Sequence, residues 1–190
     1  MINRREAIVK LAVLMGGTMV GPRLLHGAWS ADEVGAPGGG SADDVALLDE
    51  IGETIIPATE IPGAKAVHIG AFIAMMVREC YDAAHQAAFA AGVRGLAESY
   101  RARHGHAFVG APAEERTAFL NALDREQKAF TATKTPTDPA HYFRMLKELT
   151  VLGYFSSEIG STQALRFVEV PGAFRGSEPY QRGDRAWFSF

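Results

Sequence analysis

Cysteine is nearly absent from this chain: Cys80 is the only one in 190 residues. One thiol cannot build an internal disulfide framework, a C-x-x-C-H haem attachment, an iron–sulfur ligand set or a cysteine-based zinc site. Flanked by Met75, Met76, Val77 and Tyr81, it reads as a small buried hydrophobe. Long apolar runs are missing too. Leu11–Gly21 contains three glycines and is well short of the about 20 residues a spanning helix needs. Basic charge is not in excess: 19 Lys and Arg stand against 22 Asp and Glu, which gives nucleic-acid binding no support.

Chemistry-bearing motifs are equally scarce. There is no G-x-G-x-x-G, no P-loop and no G-x-S-x-G nucleophile elbow. H-E-x-x-H and the paired Glu-x-x-His motifs of di-iron bundles do not occur either, so the usual cofactor cradles and activated nucleophiles are excluded. The one metal-like element is His104-Gly105-His106. No third ligand stands nearby in sequence, and the bland reading is a solvated helix exit with imidazoles near the C-terminal dipole. Glu148 and Glu158, ten residues apart on one expected helix, are separated by about 15 Å along its axis, too far to act on one bond.

What is present begins at the N-terminus. Met1–Lys10 reads M-I-N-R-R-E-A-I-V-K, followed by an apolar stretch and small residues around Ala28–Ala31. That is a basic segment, an apolar segment and a plausible cleavage site, with Arg4 and Arg5 in the twin-arginine position of an export signal. Ala7 stands where such signals commonly have phenylalanine. The expected organisation is an export signal over residues 1–30, a flexible linker over 31–41 and one helical domain over 42–190. Without the leader's four basic residues and single acid, 15 basic side chains remain against 21 acidic ones, net -6. An acidic domain of this kind is expected in the periplasm, soluble or peripheral.

Helical spacing dominates the rest. Ser41 and Asp44 open a helix whose apolar positions include Val45, Leu48, Ile51 and Ile55, and Pro57 closes it. Val67–Cys80 is apolar almost all round, which predicts a buried helix at the centre of the domain. An alanine-rich helix follows over Asp82–Arg103, loosened by Gly92 and Gly95. Pro112 starts another, through Phe130, and Pro139 begins the last, to about Ile159. No strand series or internal repeat is present, so the fold class is mostly α: a small helical bundle with a buried central helix and an extended C-terminal tail from about residue 165.

The last helix carries an anomaly. Tyr142, Met145, Leu149, Leu152 and Ile159 make one stripe, the expected core face. Val151, Tyr154 and Phe155 fall on the other side beside Arg144, Lys147 and Glu158. Aromatics rimmed by charge are how a partner surface looks from sequence; the alternative is a helix sandwiched within its own domain. The tail beyond Pro171-Gly172 has no helical or strand period, yet holds Phe174, Tyr180, Trp187, Phe188 and Phe190. A solvated tail is poor in aromatics, so this one is expected to be pinned to a surface, with Arg175, Arg182 and Arg185 reaching carboxylates. Val151, Tyr154, Phe155, Glu158, Phe174, Tyr180 and Trp187 are the candidate partner-binding residues.

Several segments resemble one family. They are Leu47-Leu48-Asp49-Glu50-Ile51 through Ile55-Ile56-Pro57-Ala58-Thr59, then Ile61-Pro62-Gly63-Ala64, and most specifically Leu152-Gly153-Tyr154-Phe155-Ser156-Ser157-Glu158-Ile159-Gly160. With the twin-arginine leader and the ending Tyr180–Trp187, the chain resembles the small subunit, subunit 3, of membrane-bound gluconate 2-dehydrogenase and related FAD-dependent sugar dehydrogenases. Residues 82–140 carry no matching motif. The resemblance implies a non-catalytic subunit without a cofactor of its own. Its implied partners are a large flavoprotein of the glucose-methanol-choline type carrying FAD, a cytochrome c subunit carrying haem c, and the twin-arginine translocase. It transfers no catalytic residue. The competing expectation is a secreted metal protein or enzyme using His104 and His106.

Overall fold

The computed structural model describes residues 42–170, 172–173 and 176–188. The leader with Arg4 and Arg5, the linker over 31–41, and Phe174 and Arg175 lie outside the described residues. Five α-helices run in order: α1 Ala42–Ile55, α2 Ile69–Cys80, α3 Ala83–His104, α4 Ala113–Thr133 and α5 Tyr142–Ser156. A 3-10 turn, Ala64–Val67, precedes α2, and a π-helical turn, Gly160–Ala164, follows α5. Among the described residues there is no β-strand beyond one isolated bridge between Arg166 and Trp187. The fold is mostly α, as the spacing predicts.

Start and stop chemistry places the helices. Asp82 caps α3, its carboxylate accepting the His85 main-chain N–H at 2.8 Å, and Gly105 ends it in the left-handed region at φ 79°, which suits a residue without Cβ. Pro112 sits at the cap position of α4. The last helix begins at Tyr142, later than Pro139 suggests, because His141 takes the cap: its Nδ1 accepts from the Phe143 N–H at 3.2 Å. It ends before Ile159 because Ser157 Oγ donates to the Tyr154 carbonyl at 2.6 Å and accepts the Gly160 N–H at 3.1 Å. These bonds occupy groups that would otherwise extend the helix.

The centre of the bundle differs in one respect from the periodicity. α2 does pack against α1, α3 and α5, but the helix that meets every other one is α5. Its buried face runs through Leu146, Thr150 and Gly153 as well as Phe143, Met145, Leu149 and Tyr154. Thr150 is completely buried because its hydroxyl donates back to the Leu146 carbonyl at 2.8 Å. A threonine and a glycine at the heart of the face turn it by roughly a quarter-turn from the stripe that leucines and methionine mark. Leu152, on the expected stripe, is accordingly half-exposed.

Close approaches make this packing possible. A Cβ at Gly153 would strike Phe72 and Ile69 of α2, and one at Gly52 of α1 would strike Ile69 from the other side. Gly92, expected to loosen α3, instead admits the ring of Tyr142 against the helix backbone. Cys80, expected to be buried, is exposed at the end of α2, its Sγ 3.9 Å from Met76 Sδ. The apolar band of α2 stops at Val77, the last buried residue of that helix.

Charge enters the core at one point that periodicity does not mark. Glu50 is buried and pairs with Lys65 at 2.7 Å and with Arg116 at the start of α4, tying α1 to the 3-10 turn and to α4. A buried carboxylate is tolerable only with such partners.

Candidate partner-binding site

Of the segments that carry the family resemblance, those over 47–64 and 152–160 come together in space, and their chemistry is structural. Glu53 of α1 accepts the main-chain N–H groups of Ala58 at 2.9 Å and Lys65 at 2.8 Å. Gly63 lies against that carboxylate where a side chain would collide with it. Asp49 accepts the Gly70 N–H at the start of α2 at 2.7 Å; burial holds its carboxyl above the ordinary value despite that bond. Tyr154 completes the knot by donating its hydroxyl to the Pro62 carbonyl at 2.8 Å, and burial raises its phenol. The I-P-G and G-Y-F motifs, ninety-two residues apart, are the two sides of one contact.

This corrects the reading of Tyr154. It is only 4 % exposed and belongs to the chain's own core, so the sandwiched arrangement holds at this position. The physical reason is the rotated face of α5, which brings Gly153 and Tyr154 inward together. Phe155 is half-buried, its ring edge-on to Tyr154 at 5.2 Å and packed against the core. Val151 is 47 % exposed and Leu152 is 50 % exposed, so the apolar surface of α5 is Val151-Leu152. Glu158 is exposed, and its carbonyl accepts the Thr162 hydroxyl at 2.6 Å.

The histidine pair gains an unforeseen neighbour. His104 Nδ1 lies 3.3 Å and His106 Nε2 3.4 Å from one oxygen of Glu115. The buried Tyr100 hydroxyl donates to the same oxygen at 3.4 Å, and the Tyr100 ring stacks on His104 with centroids 4.4 Å apart. Burial and the Glu115 charge push the Tyr100 phenol upward. The cluster closes the α3–α4 corner over Phe108 and Phe119, whose rings meet Tyr100 edge-on. Among the described residues, no group of three His, Cys, Asp or Glu is disposed to hold a metal ion.

The tail is not a free arm. After the π-helical turn the chain runs out through Arg166 and returns to it at Trp187 as a parallel bridge. The Arg166 N–H donates to the Ala186 carbonyl at 2.8 Å, and the Phe188 N–H donates to the Arg166 carbonyl at 3.0 Å. The Arg166 guanidinium lies over the Trp187 ring, 4.7 Å from its centroid, and Phe167 meets Phe188 edge-on at 5.6 Å. Arg185 donates to the Gln163 carbonyl rather than to a carboxylate. The aromatics are thus pinned to the loop's own root, because a cation over an indole and two rings edge-on are favourable without a further partner.

This loop leaves most of its apolar side chains in water. Tyr180 is 72 % and Val170 79 % exposed, and Phe167, Val168 and Trp187 are about half exposed. The tail's aromatics are expected to be pinned to a surface; Trp187 is held by Arg166, whereas Tyr180 is largely exposed. Leu152, Phe167, Val168 and Val170 are surface residues that sequence reasoning missed.

No curated protein and no solved structure matches the chain. Among the described residues no helix is long and apolar enough to cross a membrane. Residues 42–172, more than half of the sequence, match a family described as gluconate 2-dehydrogenase subunit 3. The chain therefore belongs to the gluconate 2-dehydrogenase subunit 3 family.

Proposed function

We propose that this protein is the non-catalytic accessory subunit of a periplasmic FAD-dependent sugar dehydrogenase of the gluconate, glucose or glucoside type. It escorts the flavoprotein subunit through the twin-arginine pathway and stabilises it. The observation that carries this reading is the division of the chain: its family motifs build a scaffold, while half-exposed apolar side chains gather on α5 and the C-terminal loop. Apolar exposure on these two elements suits a partner surface. FAD belongs to the large subunit and haem c to a cytochrome subunit that accepts its electrons. The leader with Arg4 and Arg5 serves as an address read by the translocase.

The test is localisation. Replacing Arg4 and Arg5 together by lysine in the full chain should leave both this subunit and the flavoprotein in the cytoplasm, with periplasmic sugar:dye oxidoreductase activity lost. Undiminished periplasmic activity in that double variant removes the escort role.

A further inference from the structure

We infer that the groove walled by α1, α2 and α3 is the seat of the chain's own segment Trp29–Val34, tethered to α1 by the uncharged stretch Gly35–Ser41. Seated there, the segment shelters the adjoining small residues around Ala28–Ala31 from proteolysis while the domain is folded. The inference goes beyond the accessory role and stands without it.

The groove follows from how the helices pack. α1 and α3 both pack on α2 and scarcely on one another, which leaves a cavity of about 430 Å³ between them. A volume in the range of about 300–1,000 Å³ accommodates a small ligand or a few side chains. Its floor is Leu48, Val77, Phe89 and Val93, and its walls are kept low by Ala74 and Ala90. Gln86 fastens the α2–α3 corner, its Nε2 donating to the Arg78 carbonyl at 3.0 Å and to the Tyr81 carbonyl at 2.9 Å. The charged lining is Asp44 from α1, Arg78 from α2 and Arg94 from α3. Arg78 holds Glu79 at 2.6 Å, whereas Arg94 has no ionic partner among the described residues.

Three features choose the occupant. The chain before α1 joins the domain at Ala42, two residues from Asp44 on the groove's rim, so covalent connection holds it at the groove at high effective concentration. Trp29 is the only aromatic residue in the sequence before α1, and an apolar floor is where an indole gains most from leaving water. Asp32 and Glu33 follow it and bring carboxylates to the guanidinium side of the lining. Spacing keeps them from Asp44: Gly35–Ser41 reads G-A-P-G-G-G-S, so uncharged chain passes the one acid and the two carboxylates lie beyond it. Seven residues extend to about 25 Å at most, and packed helices stand about 8–10 Å apart, so the tether reaches across α2 to α3. The basic residues of the leader, Arg4, Arg5, Lys10 and Arg23, have the wrong sign for a lining of two guanidiniums and one carboxylate.

The experiment uses the full 190-residue chain made by cell-free synthesis, with Trp187→Phe so that Trp29 is its one indole. Acrylamide should quench Trp29 at least threefold less efficiently in the folded chain than in urea. Arg94→Glu, an exposed change on α3, should abolish that protection, and adding Asp32→Arg with Glu33→Arg should restore it, which also shows that the altered domain folds. Glutamyl endopeptidase should cut after Glu33 at least fivefold faster in Arg94→Glu than in the parent chain. A Trp29 as quenchable as in urea, or an unchanged quenching or cutting rate in Arg94→Glu, overturns the seat. Protection that is lost on hundredfold dilution assigns the groove to the segment of a second copy and overturns the intramolecular seat as well.

Discussion

The knot around Tyr154 and the loop around Trp187 are opposite solutions to the same problem of placing an aromatic side chain. Tyr154 is buried at 4 % exposure with its hydroxyl satisfied by a carbonyl ninety-two residues away. Trp187 is about half exposed and is held by one guanidinium and one bridge. In the first region every neighbouring position is constrained: Gly52, Gly63 and Gly153 have no room for a methyl group. In the second, Gly172 and Gly183 have open space around them and are constrained only by their own left-handed φ of 69° and 102°. The lesson is that the family's motifs mark where the chain cannot change and still fold. The exposed apolar side chains include Leu152 and the ending's Tyr180 and Trp187, so part of the resemblance lies on the surface.

The largest effect that would break this contrast is in the knot. Gly153→Val forces a branched side chain into Phe72 and Ile69 and should cost about 3 kcal/mol or more in urea unfolding. A loss below about 1 kcal/mol would show that the α2–α5 contact is loose and that the contrast is overstated. Within the same knot, Tyr154→Phe keeps the ring and removes only the hydroxyl, so the expected loss is about 1 kcal/mol, with the Pro62 carbonyl left unpaired.

On the loop the same kind of change should be nearly silent. Trp187→Ser removes the cation–π contact with Arg166 and should shift the unfolding free energy by about 0.5 kcal/mol or less. Binding of the flavoprotein should weaken clearly in the same variant. A large fall in melting temperature with binding intact would place the loop among the supports of the fold and erase the distinction between the two regions.

A pH measurement sharpens the scaffold side with the smallest expected effect. Lys128 and Lys147 both reach Asp124 and hold its carboxyl down to about 2. A carboxyl depressed in the folded state favours folding above its unfolded value of about 3.9 and loses that contribution as pH falls towards 2. Asp124→Asn should flatten the acid limb of stability between pH 4 and 2. Asp49, raised by burial, acts with the opposite sign, so adding Asp49→Asn to Asp124→Asn should restore part of the slope that the single change removes.

How far the sequence carries is clearest at α5. Its existence, its family motif and the presence of two unlike faces were legible, and so was the mostly helical fold. The direction of the core was not, because Thr150 and Gly153 lie at its centre and neither scores as apolar. A hydroxyl that back-bonds within its own helix is invisible to a hydrophobic wheel. Glu50 was missed for a related reason: a buried acid looks like a surface acid until Lys65 and Arg116 are seen beside it. Glu115 was unreadable as the neighbour of His104 and His106, since only the α3–α4 corner brings it there. The aromatic content of the tail was legible, but the return of Trp187 to Arg166 requires a contact across twenty-one residues that no local pattern announces.

The order of synthesis gives the position of α5 a further meaning. The helix on which the others pack is the last long one to be made. Until it is complete, α1 to α4 have inner faces with nothing to cover them, and the Pro62 carbonyl awaits a hydroxyl not yet translated. At about 5–20 residues per second, the interval from the start of α1 to the end of α5 is on the order of ten seconds. The N-terminal residues emerge first, while the domain behind them is unfinished. Under the export role proposed above, such a chain carries its own delay: the address is made first, but the cargo qualifies only when its final helix closes the bundle.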